Sequence, residues 1–442
     1  MTRRPITLTA IVAFAALASC DSPAATDEAC LGLPTAPQSA RVDLQQPSFT
    51  NPTSVTNPLF PISGLQRVLL MGNVGGVPLR VETTLMPGTR TLDLDGEPVD
   101  VLTSQYVAWL GRELHEVAID WYAQADDGAV WYLGEDVHNY EGGVIVDTDG
   151  TWLAGRDGPA AMIMPASPQV GDVFRPENVC GIVFEEVAVK TTGVTVNGPR
   201  GPVQGAVVMD ELHMDGTRED KTFAPGYGEF SSGSATGNLE AVALAVPTDA
   251  LPGAMPAELA TLSAGADSIF DAAQTGGWCA ASAIFGRMTT AWNAFQAGSV
   301  PPTLRTQMNA AMTALGNAVQ TQAIGATRQA SVDVDQASLD LQLRHRSVAQ
   351  IDRELLDLWA RQLLVDAAAG DQGAVLADAA TLKWIRDRLA PDVTYEPELS
   401  RIDGALDGLR AAAAGRNLVA ATAVATRLRR TLATRRVTEW RR

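Results

Sequence analysis

Three histidines in the first half of the chain, His115, His138 and His213, stand near carboxylates that include Glu116, Asp136 and Glu211. Imidazole with carboxylate is a common ligand set for zinc and a common pairing for acid–base catalysis. The spacings do not build a known motif. His115-Glu116 has Ile119 where a zinc-protease helix needs a second histidine. Counted from Asp147, an EF-hand loop would need Gly at the sixth place and Glu at the twelfth; Gly150 comes fourth and Gly158 twelfth. Asp149-Gly150 therefore reads as a turn. Gly233-Ser234-Ala235-Thr236-Gly237 lacks the central serine of a nucleophile elbow. His345 lies between two arginines with no partner ligand at helical spacing. No metal, cofactor or catalytic group is expected. A tight cluster of Glu116, Asp136 and His138 in a cleft would change that expectation.

The elements that must hold these residues differ between the two halves. Residues 1–255 carry 13 Lys/Arg against 32 Asp/Glu, whereas residues 256–442 carry 20 against 19. The formal net charge of −18 excludes nucleic acid as an expected partner. Gly, Pro, Val and Thr dominate before the boundary; Ala, Leu and Arg dominate after it. The expected class is α+β: an antiparallel β-meander or curved sheet over 47–247, a proline-rich linker over 248–256, and an all-α helical bundle over 257–437.

Within the sheet, Ile119–Glu135 is the strongest local pattern. Asp127-Gly128 separates Trp121-Tyr122 from Trp131-Tyr132, a hairpin signature. Neighbouring residues on a strand face opposite ways. Each arm thus shows one aromatic to the core and one to the other face, and these four residues are the candidate ligand face. The hairpin is expected at the centre of the sheet. Short strands separated by Asp-Gly and Asn-Gly turns make a meander that closes into a barrel or wraps around something. Beyond Pro256, Ile351, Leu355, Leu358 and Leu363 give a stripe near helical spacing. Gly276-Gly277, Pro301-Pro302, Gly370, Pro391 and Gly415 divide eight helices. Trp278, Trp292, Trp359 and Trp384 are expected on inner faces. The basic end, 427–442, is a solvated helix terminus or a contact with anionic lipid.

The N-terminus carries targeting chemistry. Arg3-Arg4 precede an apolar run, Ile6–Leu17, too short for a stable span. Leu17-Ala18-Ser19-Cys20 resembles the bacterial lipobox at all four positions. The resemblance implies a signal peptide over 1–19 and a Cys20 that carries acyl chains, palmitate among them. Two or more chains anchor a protein stably, at about 0.8 kcal/mol per buried methylene. Residues 20–46 are then a lipidated tether, and the partner at this end is membrane lipid. Of the remaining cysteines, Cys30 and Cys180 are the candidate disulfide and Cys279 is expected to be buried and inert.

The segments 51–61 (NPTSVTNPLFP), 120–136 (DWYAQADDGAVWYLGED), 162–172 (MIMPASPQVGD) and 223–229 (FAPGYGE) resemble a family of uncharacterised bacterial secreted proteins and lipoproteins. That family implies no activity. The last segment is also similar to the late strand of curved-sheet envelope proteins, some of which cradle a lipid chain. The expected function is a membrane-anchored cell-envelope lipoprotein, facing the periplasm or exterior, that binds a lipid, glycan or protein. The alternatives are an envelope hydrolase with its site between the domains and a structural or assembly factor.

Overall fold

The structure is a computed structural model that describes residues 32–234, 239–390 and 396–439. Cys20, Cys30 and the signal segment lie outside the described residues. Cys180 is disulfide-bonded, and Cys279 is free and exposed rather than buried.

Fourteen strands form one antiparallel sheet: β1 (Arg67–Val74), β2 (Val77–Leu94), β3 (Glu97–Leu110), β4 (Glu113–Gln124), β5 (Val130–Glu141), β6 (Val144–Asp147), β7 (Trp152–Leu153), β8 (Ala161–Met164), β9 (Val173–Val179), β10 (Val183–Gly198), β11 (Gly201–His213), β12 (Arg218–Ala224), β13 (Gly228–Ser234) and β14 (Leu239–Val246). The ladder runs β6-β5-β4-β3-β2-β1-β14-β13-β12-β11-β10-β9, with β7 and β8 also pairing to β5. Two meanders, β1–β6 and β9–β14, are thus joined where the first strand pairs with the last. Twist and length curl so long a sheet. Side chains from both ends, such as Trp131 and Met164 near one and Phe174 and Val183 at the other, share one core. The Asp127-Gly128 hairpin forms as expected, with Gly128 at φ +94°. It stands near one end of the ladder, however, not at the centre.

Several strands outrun their sequence limits. Pro87-Gly88 reads as a break, yet β2 continues through it as a bulge between Leu85 and Thr89. The second half of the expected tether is also structured. Val42 N–H donates to Val173 O at 2.8 Å, and Arg175 N–H donates to Asp43 Oδ2 at 2.9 Å. This segment covers the edge strand β9, which would otherwise present unpaired backbone groups.

Eight helices follow: α1 (Ala257–Gln274), α2 (Trp278–Phe295), α3 (Pro302–Gln320), α4 (Ile324–Gln342), α5 (Val348–Ala369), α6 (Gln372–Leu389), α7 (Glu396–Ala414) and α8 (Leu418–Glu439). The α5 start is set by a capping box, in which Ser347 and Gln350 satisfy each other's backbone N–H groups. Helix α5 ends at Gly370 with φ +78°. Among the described residues, no helix is long and apolar enough to cross a membrane.

The helices do not stand apart from the sheet. Leu69, Val107, Trp109, Leu114 and Leu244 join the helical core, and Trp109 stacks on Trp359 at 5.7 Å. Between the two layers lies a buried charge network. Arg67 donates twice to Asp352, at 2.8 and 2.9 Å. Arg388 bridges Asp352 and Glu82, at 2.8 and 2.9 Å. Arg80 bridges Glu82 and Asp340, at 2.7 and 2.8 Å. The linker is fixed as well, since Arg344 donates to Asp249 O and Leu251 N–H donates to Arg344 O. A second network locks α8: Arg429 pairs with Asp267, Asp271 and Asp357. Arg429 of the basic end is therefore an internal tie rather than a solvated or lipid-facing charge.

Candidate functional site

Strand alternation divides the sheet residues into two environments. On β2, Arg80, Glu82 and Thr84 face the helices, whereas Leu79, Val81, Thr83 and Leu85 face inward. The inward face of the curl encloses a cavity of about 450 Å³. That is the size of pockets that hold small organic ligands. Its lining is mixed: Phe60, Ile62, Leu65, Leu70, Val81 and Phe174 are apolar, while Asp120, Glu185, Glu211, Glu219, Glu229 and Glu240 are acidic, with Lys221 as the cation among the lining residues.

Register explains how these acids meet. Glu185 is directly opposite His213 across β10–β11, and Glu211 opposite Glu219 across β11–β12. Residues two apart on a strand share a face, so Glu211 and His213 point the same way. The Lys221 ammonium lies 2.7 Å from Glu211 Oε2 and 3.8 Å from Glu219. His213 Nδ1 lies 3.2 Å from Glu185. Burial disfavours the Lys221 charge, but Glu211, Glu229 and Glu185 outweigh it and raise its pKa. Burial would likewise raise Glu185, yet Lys221 and the His213 hydrogen bond hold it down at about 2. The other acids go the opposite way. Burial pushes Asp120 up to about 7, with the Tyr132 hydrogen bond opposing and Glu116 adding to the rise. Burial and then Glu229 push Glu240 up to about 7. Burial and the neighbouring acids Asp120 and Glu116 push Glu135 up to about 8.

The four hairpin aromatics, the candidate ligand face, are all buried. Tyr122 and Tyr132 stack at 4.7 Å, and Tyr132 OH donates to Asp120 at 3.0 Å. Tyr122 lines the cavity. Trp121 lies beneath the Arg90 guanidinium at 4.2 Å. Trp131 lines a smaller hollow of about 230 Å³ at the seam, beside Arg41 and Arg175. The hairpin thus supplies part of the cavity wall through Tyr122 and frames it with the other three rings.

The cluster that would mark a hydrolase between the layers does not assemble. Asp136 is exposed, His138 packs edge-on against Trp384 on the helix side, and Glu116 faces the interior near Asp120. The histidines likewise stay apart. Among the described residues, His213 alone gathers with carboxylates: its ligating atom and those of Glu185 and Glu211 lie within 4.8 Å of one another. Of the residues the sequence singled out, Glu211 and His213 belong to this site. It missed Glu185, Glu219, Lys221, Glu229 and Glu240. Their period-2 placement in E-E-V (185–187) and R-E-D-K-T (218–222) was the available signal, but either face could have been the wet one.

No family model, no curated protein and no solved structure matches the chain.

Proposed function

We propose that this chain is a lipid-anchored cell-envelope protein whose curved sheet binds and carries a small amphiphile. The observation that carries the reading is the cavity itself. A space of about 450 Å³ lined by both apolar side chains and carboxylates suits a ligand with an apolar body and a polar head. A sheet built only for support would fill that interior with side chains. The anchor rests on Leu17-Ala18-Ser19-Cys20. Acylation there would hold the cavity near the membrane, where amphiphiles are drawn from. Residues 33–46 dock on the sheet, which shortens the reach of the tether.

A second reading has one observation in its favour. Glu185, Glu211 and His213 form a coupled acid–base group beside the cavity, an arrangement that serves hydrolysis as well as binding. Native mass spectrometry of the full chain, followed by denaturation and small-molecule identification, separates the two. A carrier releases one intact amphiphile per chain. A hydrolase turns over ester or glycoside probes and loses that turnover in Glu185→Gln.

A further inference from the structure

We propose that the head group held in the cavity is cationic: an amphiphile bearing an amine or guanidinium, received by Asp120, Glu229 and Glu240, which have no direct ion pair among the described residues, and by Ser104. The inference rests on the carrier reading and names the ligand class within it.

The first support is an imbalance of charge. Six carboxylates line the cavity and one ammonium accompanies them. Lys221 is committed to Glu211 and reaches Glu219, while Glu185 has His213. Among the described residues, Asp120, Glu229 and Glu240 have no cation within ion-pair distance. Glu240 accepts from Ser232 at 3.2 Å through one oxygen, and its other oxygen is buried without a hydrogen bond.

The second support is independent of the acids. Ser104 is fully buried, lines the cavity, and its Oγ has no partner. It lies directly across the β3–β4 ladder from Asp120. A buried hydroxyl left unpaired is unfavourable and implies a group that completes it.

The third is the register. Asp120 faces Glu135, Glu177 faces Glu185, and Glu211 faces Glu219. Like charges directly opposite one another destabilise a sheet. Lys221 already offsets the Glu211–Glu219 pair and His213 the Glu185 side of the second; the Asp120–Glu135 pair, with Asp120 on the cavity, is the one an entering cation would offset.

A bare divalent ion is the rival cation. Glu185, Glu211 and His213 have the donor spacing for one. The Lys221 ammonium already sits on Glu211, however, so that corner has its counter-ion. Asp120, Glu229 and Glu240, on β4, β13 and β14, have no direct ion pair among the described residues and share the cavity lining with apolar side chains, which favours a cation with an apolar body.

The test is calorimetric titration of the full chain in lipid nanodiscs, blanked with empty nanodiscs, using octylamine, octanol, octanoate and zinc chloride at pH 7.5. Octylamine is expected to bind at least tenfold more tightly than octanol or octanoate. Its binding is expected to release protons, read as a dependence of the heat on buffer ionisation enthalpy. Asp120→Asn with Glu240→Gln should remove the preference and leave octanol binding intact. Thermal melting reports whether that variant is folded; removing repulsion should hold or raise its midpoint. Octanol or octanoate binding as tightly as octylamine would overturn the cationic head and leave the carrier reading standing. Zinc alone displacing octylamine would overturn the amphiphile. No binding by any probe would remove the carrier reading as well.

Discussion

Neutralising Asp352 is the sharpest test of how the sheet and helices are joined. The interface network contains Arg67, Arg80 and Arg388 against Glu82, Asp340 and Asp352, so its formal charges cancel. Asp352 serves both Arg67 and Arg388, whose side chains are each 1% exposed. Asp352→Asn keeps the shape and removes the charge, leaving buried Arg67 without an ion-pair partner among the described residues and Arg388 with only Glu82, which Arg80 also uses. Breaking a buried pair by removing one partner costs about 3–5 kcal/mol, a large part of the about 5–15 kcal/mol that holds a typical protein together. Asp333→Asn is the control. Its partner Arg112 is 57% exposed, and exposed pairs contribute about 0–1 kcal/mol. Urea unfolding followed by both tryptophan fluorescence and far-ultraviolet circular dichroism reads the difference. Asp352→Asn should shift both signals together by several times the Asp333→Asn effect. A loss below about 1 kcal/mol, or a shift in one signal alone, would refute the claim that this network couples the two layers.

Other consequences are equally open to measurement. Ligand-free protein should lose stability as pH rises from about 5 to 8. The folded carboxyls of Asp120 at about 7, Glu240 at about 7 and Glu135 at about 8 keep protons that the unfolded chain has already released, and each unit of displacement is worth about 1.4 kcal/mol. His213, raised by Glu185 against the opposing effect of burial, adds to the loss above its unfolded value. A melting temperature that is flat or rising across that window would contradict the buried acids. Gly143→Ala should destabilise more than Gly142→Ala. Both glycines have positive φ, but a Cβ on Gly143 would lie 2.3 Å from Ala377 N and 2.5 Å from Gly373 O, whereas one on Gly142 meets nothing. The second should show only the backbone cost of about 1–3 kcal/mol, and equal melting shifts would count against the close approach to α6. Cys279 should react with maleimide in the native protein, because it is free and exposed. Peptide mapping that finds it unlabelled until denaturation would place it inside after all.

Much of the frame could be read from residue order. Asp127-Gly128 marked its hairpin because the turn needs a residue at positive φ, and Gly370 and Pro391 marked helix limits because neither continues a helix easily. What could not be read was which strand face closes. R-V-E (80–82) alternates as any half-exposed strand would, yet its charges are covered by Asp340 and Arg388 from more than 250 residues away. Asp210 and Glu211 are adjacent acids, but Arg218 holds the first at the surface while the second is 1% exposed and ion-paired to Lys221. The cavity depends on curvature summed over the whole ladder, and no local spacing encodes that. For the same reason the aromatic hairpin was legible as a hairpin and not as a cavity wall.

The most direct measurement is intact-mass and bound-molecule analysis of the full chain, isolated from its native cells without detergent. Acyl chains on Cys20 and one amphiphile per chain that carries a basic nitrogen are the expected result. An unacylated chain with an empty cavity would contradict both the anchor and the carrier.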